Sequence, residues 1–192
     1  KIKLLFENIS NTSEYYDSTN QIKFLNTKIV NKINNKENKN IFKIKSENSK
    51  INQSNIKYNG IVNLKPFFLN FDFNLHDVNL NKLVFINSFF ENLIADLLLD
   101  NNYLNGNISF TLENIKKNKL INSGKIDLKI QRGQFDFSKS KFFIKDIGIM
   151  EVISNRIFID ENKIILKFYF DFFIKDQNKL YKKFLISKKN RI

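Results

Sequence analysis

The sequence predicts a mainly β protein: a curled antiparallel β-meander, shaped as a groove or half-barrel, with one amphipathic helix around residues 81–99. Apolar and polar residues alternate with a period of two through most of the chain after residue 60, and short polar turns separate the alternating segments. Only one stretch has helical spacing instead. Because each strand has one apolar face, and one helix covers little of it, the sheet must curl, pack on a second sheet or cover that face with a ligand.

The clearest alternation lies between Pro66 and His76. Pro66 marks an edge or the start of a strand, since proline cannot donate to a β-ladder. After it, Phe71, Phe73 and Leu75 alternate with polar side chains, which predicts a strand with one buried and one solvated face.

The same alternation returns in later segments and predicts further strands. Its apolar positions are Ile108, Phe110, Leu112, Ile126, Leu128, Ile130, Phe135, Phe137, Phe168, Phe170 and Phe172. We expect a hairpin turn at Asn59-Gly60 and a turn at Ser123-Gly124, because these residues tolerate positive φ. A last strand is predicted over Leu180–Ser187.

The predicted helix has apolar residues three and four positions apart, which places them on one stripe of its surface. They are Leu83, Ile86, Phe90, Leu93, Ile94, Leu97 and Leu98. Residues 1–60 form a more polar N-terminal β segment, with an exposed turn or loop over 31–40. We expect one continuous domain, in which 61–192 carry the main sheet; whether 1–60 join that sheet stays open.

The composition excludes several kinds of chemistry. The 192 residues carry a net charge of +13, but their lysines are scattered rather than clustered, so we expect no nucleic-acid partner. With no cysteine and one histidine, thiolate sites and histidine-based catalysis lack their residues. His76 is expected at the surface of a strand end, beside Asp77. The sequence therefore predicts a protein that is not an enzyme and has no metal or cofactor.

The phenylalanine ladders allow two interpretations. One is an ordinary closed core, in which cross-strand aromatic pairs stabilise the sheet. The other is an apolar groove for acyl chains, because phenylalanine offers a large apolar area and no hydrogen-bonding group. Under the second interpretation, the groove is lined by the fourteen alternating positions named above, from Phe71 to Phe172.

Several segments carry a family resemblance. They are Gly60-Ile-Val-Asn-Leu-Lys-Pro-Phe-Phe-Leu-Asn-Phe-Asp-Phe-Asn-Leu, Leu104-Asn-Gly-Asn-Ile-Ser-Phe-Thr-Leu, Gly124-Lys-Ile-Asp-Leu-Lys-Ile, Gln134-Phe-Asp-Phe-Ser and Lys179-Leu-Tyr-Lys-Lys-Phe. Together they resemble the C-terminal region of AsmA-like proteins of alphaproteobacterial type, within the AsmA/TamB group of envelope proteins. The resemblance covers about residues 60–190.

The resemblance implies a periplasmic protein tethered to the inner membrane, whose curled sheet binds phospholipid or another acyl lipid. It further implies a role in phospholipid transport or outer-membrane assembly, with other envelope proteins as partners. No catalytic residues are carried over.

No apolar stretch reaches the ~18 residues that a membrane-spanning helix needs. We therefore expect the membrane anchor outside this chain, and we interpret the chain as a fragment of a longer protein. The alternative is a non-catalytic structural or interaction module with a closed core and no ligand.

Overall fold

The computed structural model describes residues 3–11, 16–24, 27–36, 38–51, 54–79, 102–160 and 163–191. These residues form one open, curled and mostly antiparallel sheet of 12 strands, followed by a short helix. The predicted fold class is therefore confirmed. The strands are β1 (Lys3–Asn11), β2 (Tyr16–Phe24), β3 (Thr27–Asn34), β4 (Ile41–Ile51), β5 (Ser54–Leu64), β6 (Phe67–His76), β7 (Gly106–Glu113), β8 (Ile121–Gln131), β9 (Gln134–Asp136), β10 (Lys141–Ile144), β11 (Gly148–Asp160) and β12 (Lys163–Ile174).

Strand order follows the chain order almost throughout. The path runs from β1 to β8 and continues through β10 and β11 to β12, while the short β9 pairs with β8 beside this path. The segment 1–60 thus contributes β1 to β5 to the same sheet. Pro66 lies in the turn immediately before β6, as expected.

One pair departs from the predicted antiparallel pattern. Strands β6 and β7 are parallel, with Phe73 opposite Phe110. Parallel neighbours need a long crossover connection, and here it runs through residues 77–105. The helix predicted at 81–99 falls within this connection and lies outside the described residues.

A helix occupies the start of the segment that was predicted to form the last strand. Helix α1 (Gln177–Lys183) begins after Asp176, whose carboxylate accepts a 3.0 Å hydrogen bond from the backbone N–H of Lys179. The strand predicted over Leu180–Ser187 is therefore wrong, because this capping bond starts a helical turn that a period-two interpretation ignores. A 3-10 helix over Lys188–Asn190 follows.

Burial separates the two faces of the sheet. All buried residues of the described strands share one face by cross-strand register, and we call this the inner face. They are Ser18, Ser46, Ser49, Ser54, Ile56, Gly60, Leu75, Gly106, Leu112, Gly124, Ile130, Ile144, Gly148 and Val152. The opposite face, the outer face, carries the lysines and the acidic side chains.

A compact core closes part of the inner face. Ile56, Leu75 and Leu112 from three neighbouring strands pack with Val78 and Ile115, which follow β6 and β7. Each of the five is less than one tenth exposed. This core lies at the C-terminal ends of the parallel strands β6 and β7.

Two predicted turns are instead the interiors of strands. Gly60 lies within β5 opposite Phe71, and Gly124 lies within β8 opposite Phe142. The space that a Cβ would occupy at Gly60 is filled by the Phe71 ring, and at Gly124 the Phe142 ring comes within 3.0 Å. Both glycines therefore serve the close approach of an aromatic ring to the backbone, rather than a turn.

Candidate functional site

The inner face is free of formal charge. From β2 to β12, and outside the bulges, register places no lysine, arginine, aspartate or glutamate of the described strands on it. The outer face holds the charged residues, including Asp72, Asp127 and Asp171, as the alternation predicted. The sheet is thus amphipathic across its whole width.

The predicted lining residues lie together on this face. Thirteen of the fourteen belong to strands and share the inner face by register: Phe71, Phe73, Leu75, Ile108, Phe110, Leu112, Ile126, Leu128, Ile130, Phe135, Phe168, Phe170 and Phe172. Phe137 follows β9, and its ring meets Phe168 edge-on with the centroids 5.6 Å apart. The structure therefore gathers these residues into one surface.

The first part of this surface is an aromatic cluster on β5, β6 and β7. The Phe73 ring is central: its centroid lies 5.7 Å from that of Phe71, 5.0 Å from that of Phe110 and 5.2 Å from that of Tyr58. Phe71 and Phe110 both stack on it at interplanar angles of 15°. Offset stacking at this separation is favourable beyond simple burial. The cluster is half-buried and gives the surface a rigid floor.

Aliphatic residues of β8 connect this cluster to a second one. Ile126 lies opposite Phe110, and Ile130 lies opposite Phe135 on β9. Beyond them, Phe168 contacts both Phe137 and Phe170, with the Phe168 and Phe170 centroids 5.7 Å apart. An apolar path therefore continues from β5 to β12 without an interposed charge.

The residues of this path differ in accessibility. Leu75, Leu112 and Ile130 are 8%, 6% and 4% exposed, so they belong to the interior and offer almost no surface to a ligand. These three predicted lining positions therefore contribute little to the accessible surface. On β12, by contrast, Phe170 and Phe172 remain 41% and 37% exposed. The accessible part of the path is therefore the half-buried middle and the open β12 end.

A row of polar side chains borders the path on its N-terminal side. We call these residues, all on the inner face, the polar row: Ser18, Asn20, Asn31, Ser46, Ser49 and Tyr58. The Tyr58 hydroxyl donates to the side-chain oxygen of Asn31, whose amide donates a 2.8 Å bond to Asn20. Sequence reasoning missed this row, because isolated Ser and Asn positions carry no periodic signal.

The polar row is uncharged, and most of its side chains form hydrogen bonds with one another or with the backbone. The hydroxyls of Ser46 and Ser49 lie 2.6 Å apart, and Ser49 also accepts a 2.9 Å bond from the backbone N–H of Val30. Burial raises the pKa of Tyr58, although hydrogen bonding from the two serines opposes this shift. Apolar chains gain nothing from these groups, but apolar residues of the same face lie beside the row: Phe42 opposite Val62, Ile44 opposite Gly60 and Ile33 opposite Ile44.

The single histidine lies at the end of β6, as predicted. Its side chain is 54% exposed, and its Nδ1 atom lies 3.4 Å from a carboxylate oxygen of Asp77. The Lys116 ammonium, 3.1 Å away, holds the pKa of Asp77 below its usual range, and Asn114 and His76 add to this effect. The arrangement is a surface ion pair at the ends of the parallel strands.

The described residues form neither a metal-binding cluster nor a membrane-spanning helix. They contain no group of three or more His, Cys, Asp or Glu side chains able to hold a metal ion. Within the same part of the chain, every helix is too short or too polar to cross a membrane.

Models of protein families, curated proteins and solved structures all give no significant match to this chain.

Proposed function

We propose that this chain is a non-catalytic, lipid-binding segment of an AsmA-like envelope protein, and that acyl chains lie along its inner face. Following the resemblance in sequence, we place it in the periplasm, in a protein tethered to the inner membrane that takes part in phospholipid transport or outer-membrane assembly. The observation that carries the proposal is the uncharged inner face, continuous from β5 to β12.

The chemistry of that face suits an acyl chain better than a polar ligand. An acyl chain needs apolar area and no hydrogen bonds, and each methylene it buries contributes about 0.8 kcal/mol. The stacked rings of Phe71, Phe73 and Phe110 supply such area without a polar atom. At β12, Leu166 and Phe170 are 44% and 41% exposed, which gives a chain a place to enter or leave.

Lipid mass spectrometry on the natively purified protein is the first test. We expect phospholipid or another acyl lipid to copurify and to be released on unfolding. A well-folded preparation free of lipid, which also takes up none from vesicles, would overturn the proposal.

Three pairs of adjacent phenylalanines allow a sharper test, because one member of each pair faces inward and the other outward. The inner members are Phe67, Phe142 and Phe172, and their outer neighbours are Phe68, Phe143 and Phe173. Phe67 and Phe68 are equally exposed, at 37% each. Benzoylphenylalanine at each position in turn should photocrosslink lipid from the inner members only. Equal labelling of both faces would indicate unspecific adsorption and contradict a groove.

The closed core supports a second candidate, a structural module with no ligand. Ile56, Leu75 and Leu112 are sealed by Val78 and Ile115, as in an ordinary globular core. Uptake of a fluorescent fatty acid separates the two candidates. The structural module predicts no uptake, whereas the lipid-binding segment predicts saturable uptake that competes with unlabelled fatty acid.

A further inference from the structure

Strand β12 ends the described sheet and carries exposed aromatic side chains on both faces. Of the strands that the structure describes, β11 alone pairs with it, so its other edge presents backbone N–H and C=O groups outward. On the outer face Tyr169 and Phe173 are 50% and 55% exposed, and on the inner face Phe170 and Phe172 are 41% and 37% exposed. A long apolar edge strand of this kind is a template for pairing with another strand.

The sequence of β12 is complementary to itself in one antiparallel register. When Tyr169 lies opposite Tyr169 of a second copy, Lys167 faces Asp171 of that copy, and the same pair forms again by symmetry. Phe168 then faces Phe170 on the inner side. Opposite charges and aromatic pairs are the cross-strand combinations that stabilise sheets.

Neighbouring registers lose this complementarity. Centring the pair on Asp171 places Asp171 opposite itself. Centring it on Lys167 places Lys167 opposite itself, although Lys163 then faces Asp171. Centring it on Phe168 or Phe170 leaves both charges opposite uncharged residues. The register centred on Tyr169 is therefore the one that pairs opposite charges without placing like charges of β12 opposite each other.

The residues of β11 directly opposite these two β12 charges carry charges of the same sign. In the β11–β12 ladder, Arg156 lies opposite Lys167, and Glu151 lies opposite Asp171. Both are like-charged pairs on the outer face. A second copy would place an opposite charge beside each of these β12 residues, on the strand's other side.

We propose that two copies of this chain associate edge to edge through β12, antiparallel and centred on Tyr169. The twofold axis runs perpendicular to the sheet, so inner face joins inner face. The apolar path of one copy then continues into that of the other. This proposal goes beyond lipid binding and does not depend on it, since a dimer can form whether or not the inner face holds lipid.

Because the chain has no cysteine, single substitutions report the register directly. Residues directly opposite in an antiparallel pair have Cα atoms about 4.5–5.5 Å apart, within disulfide range. Tyr169→Cys should therefore oxidise to a covalent dimer. The matched control Phe173→Cys should stay monomeric alone, since its counterpart lies roughly 25 Å away, but should cross-link when mixed with Ile165→Cys. Self-cross-linking of Phe173→Cys in place of Tyr169→Cys would overturn the register.

A charge swap tests the association without any covalent bond. By light scattering, the unmodified chain should have twice the monomer mass, whereas Lys167→Asp and Asp171→Lys should each weaken dimerisation about tenfold or more. Mixing these two variants restores both opposite-charge pairs and should restore the dimer. A monomeric unmodified chain at the concentrations of the cross-linking experiment, or a mixture no tighter than either variant, would overturn the proposal. Circular dichroism of each variant confirms that the sheet is intact.

Discussion

The side chain of Asn155 takes the place of a strand partner for Phe137. Its side-chain oxygen accepts a 2.7 Å hydrogen bond from the backbone N–H of Phe137, and its amide donates a 2.9 Å bond to the carbonyl oxygen of Phe135. These bonds join β9 and the residues after it to β11, where no regular ladder exists. They position Phe135 and Phe137 on the inner face.

Replacing the Asn155 side chain should destabilise the C-terminal part of the sheet. We expect Asn155→Leu to lower the free energy of unfolding by about 1–3 kcal/mol, because it leaves a partly buried N–H and C=O without partners. Ser154→Ala, an exposed neighbour on the same strand, should change it by less than about 0.5 kcal/mol. Urea unfolding followed by circular dichroism measures both values. Equal stability of the two variants would show that water replaces the amide at no cost.

Ser140 fills a second gap in the sheet, between β9 and β10. Ser140 is 1% exposed. Its hydroxyl accepts a 3.0 Å hydrogen bond from the backbone N–H of Asp127 and donates a 3.2 Å bond to the carbonyl oxygen of the same residue. Ser140→Ala should therefore cost about 1–3 kcal/mol of unfolding free energy. The matched control is Ser138→Ala, since the Ser138 hydroxyl bonds to Asp136 at the exposed surface. Denaturant titration should rank the two variants clearly, and the reverse order would contradict this role.

Two glycines of the inner face should respond differently to alanine. A Cβ at Gly148 would overlap the backbone carbonyl oxygen of Phe173, whereas a Cβ at Gly60 would meet the side-chain ring of Phe71. A ring can rotate aside, but the β11–β12 backbone must shift. We expect Gly148→Ala to cost about 2–3 kcal/mol and Gly60→Ala about 1 kcal/mol.

The same denaturant titrations measure this difference. A double-mutant cycle with Phe71→Leu is the control: the smaller side chain should relieve the cost of Gly60→Ala and leave that of Gly148→Ala unchanged. A smaller cost for Gly148→Ala than for Gly60→Ala would mean that the β11–β12 backbone shifts at a lower free-energy cost than the Phe71 ring rotates.

Alternation predicted the strands whose outer faces are strongly polar. In β6, β7 and β8, charged, amide or hydroxyl side chains separate the apolar ones, so a period of two determines which side chains face inward. In β12, only Lys167 and Asp171 do so between Leu166 and Phe172. The fourteen lining positions were therefore assigned to the correct face. Their accessibility was not predictable, because the closure of Leu75 and Leu112 depends on Val78 and Ile115, which join the core only through the parallel pairing of β6 and β7.

The wrong predictions of a turn at Gly60 and of an antiparallel β6–β7 pair have a non-local cause. Asn59-Gly60 has the composition of a hairpin turn, yet Gly60 is glycine because the Phe71 ring of the next strand lies against it. Similarly, the parallel direction of β6 and β7 leaves no mark on their alternation, since parallel and antiparallel strands both have a period of two. The polar row escaped notice for the same reason: Asn31 and Tyr58 are far apart in the sequence and are paired only by the sheet.

Tyr58 makes the polar row sensitive to alkaline pH. Its folded-state pKa is raised by burial above the ordinary value of 10.0, so the folded protein holds the phenolic proton more tightly than the unfolded chain does. Stability from this group is therefore complete below pH 10.0 and falls as the pH rises toward the folded-state pKa.

We expect the free energy of unfolding to decrease more steeply above this pH in the unmodified chain than in Tyr58→Phe, which has no phenolic proton to lose. Urea unfolding at a series of alkaline pH values measures both curves, and Tyr58→Phe is the control for lysine deprotonation, which affects both proteins alike. The two curves should converge with rising pH, because the unmodified chain loses the contribution that the variant already lacks. Parallel curves over the whole series would show that the Tyr58 phenol ionises as readily in the folded sheet as in the unfolded chain, and that the polar row is open to solvent.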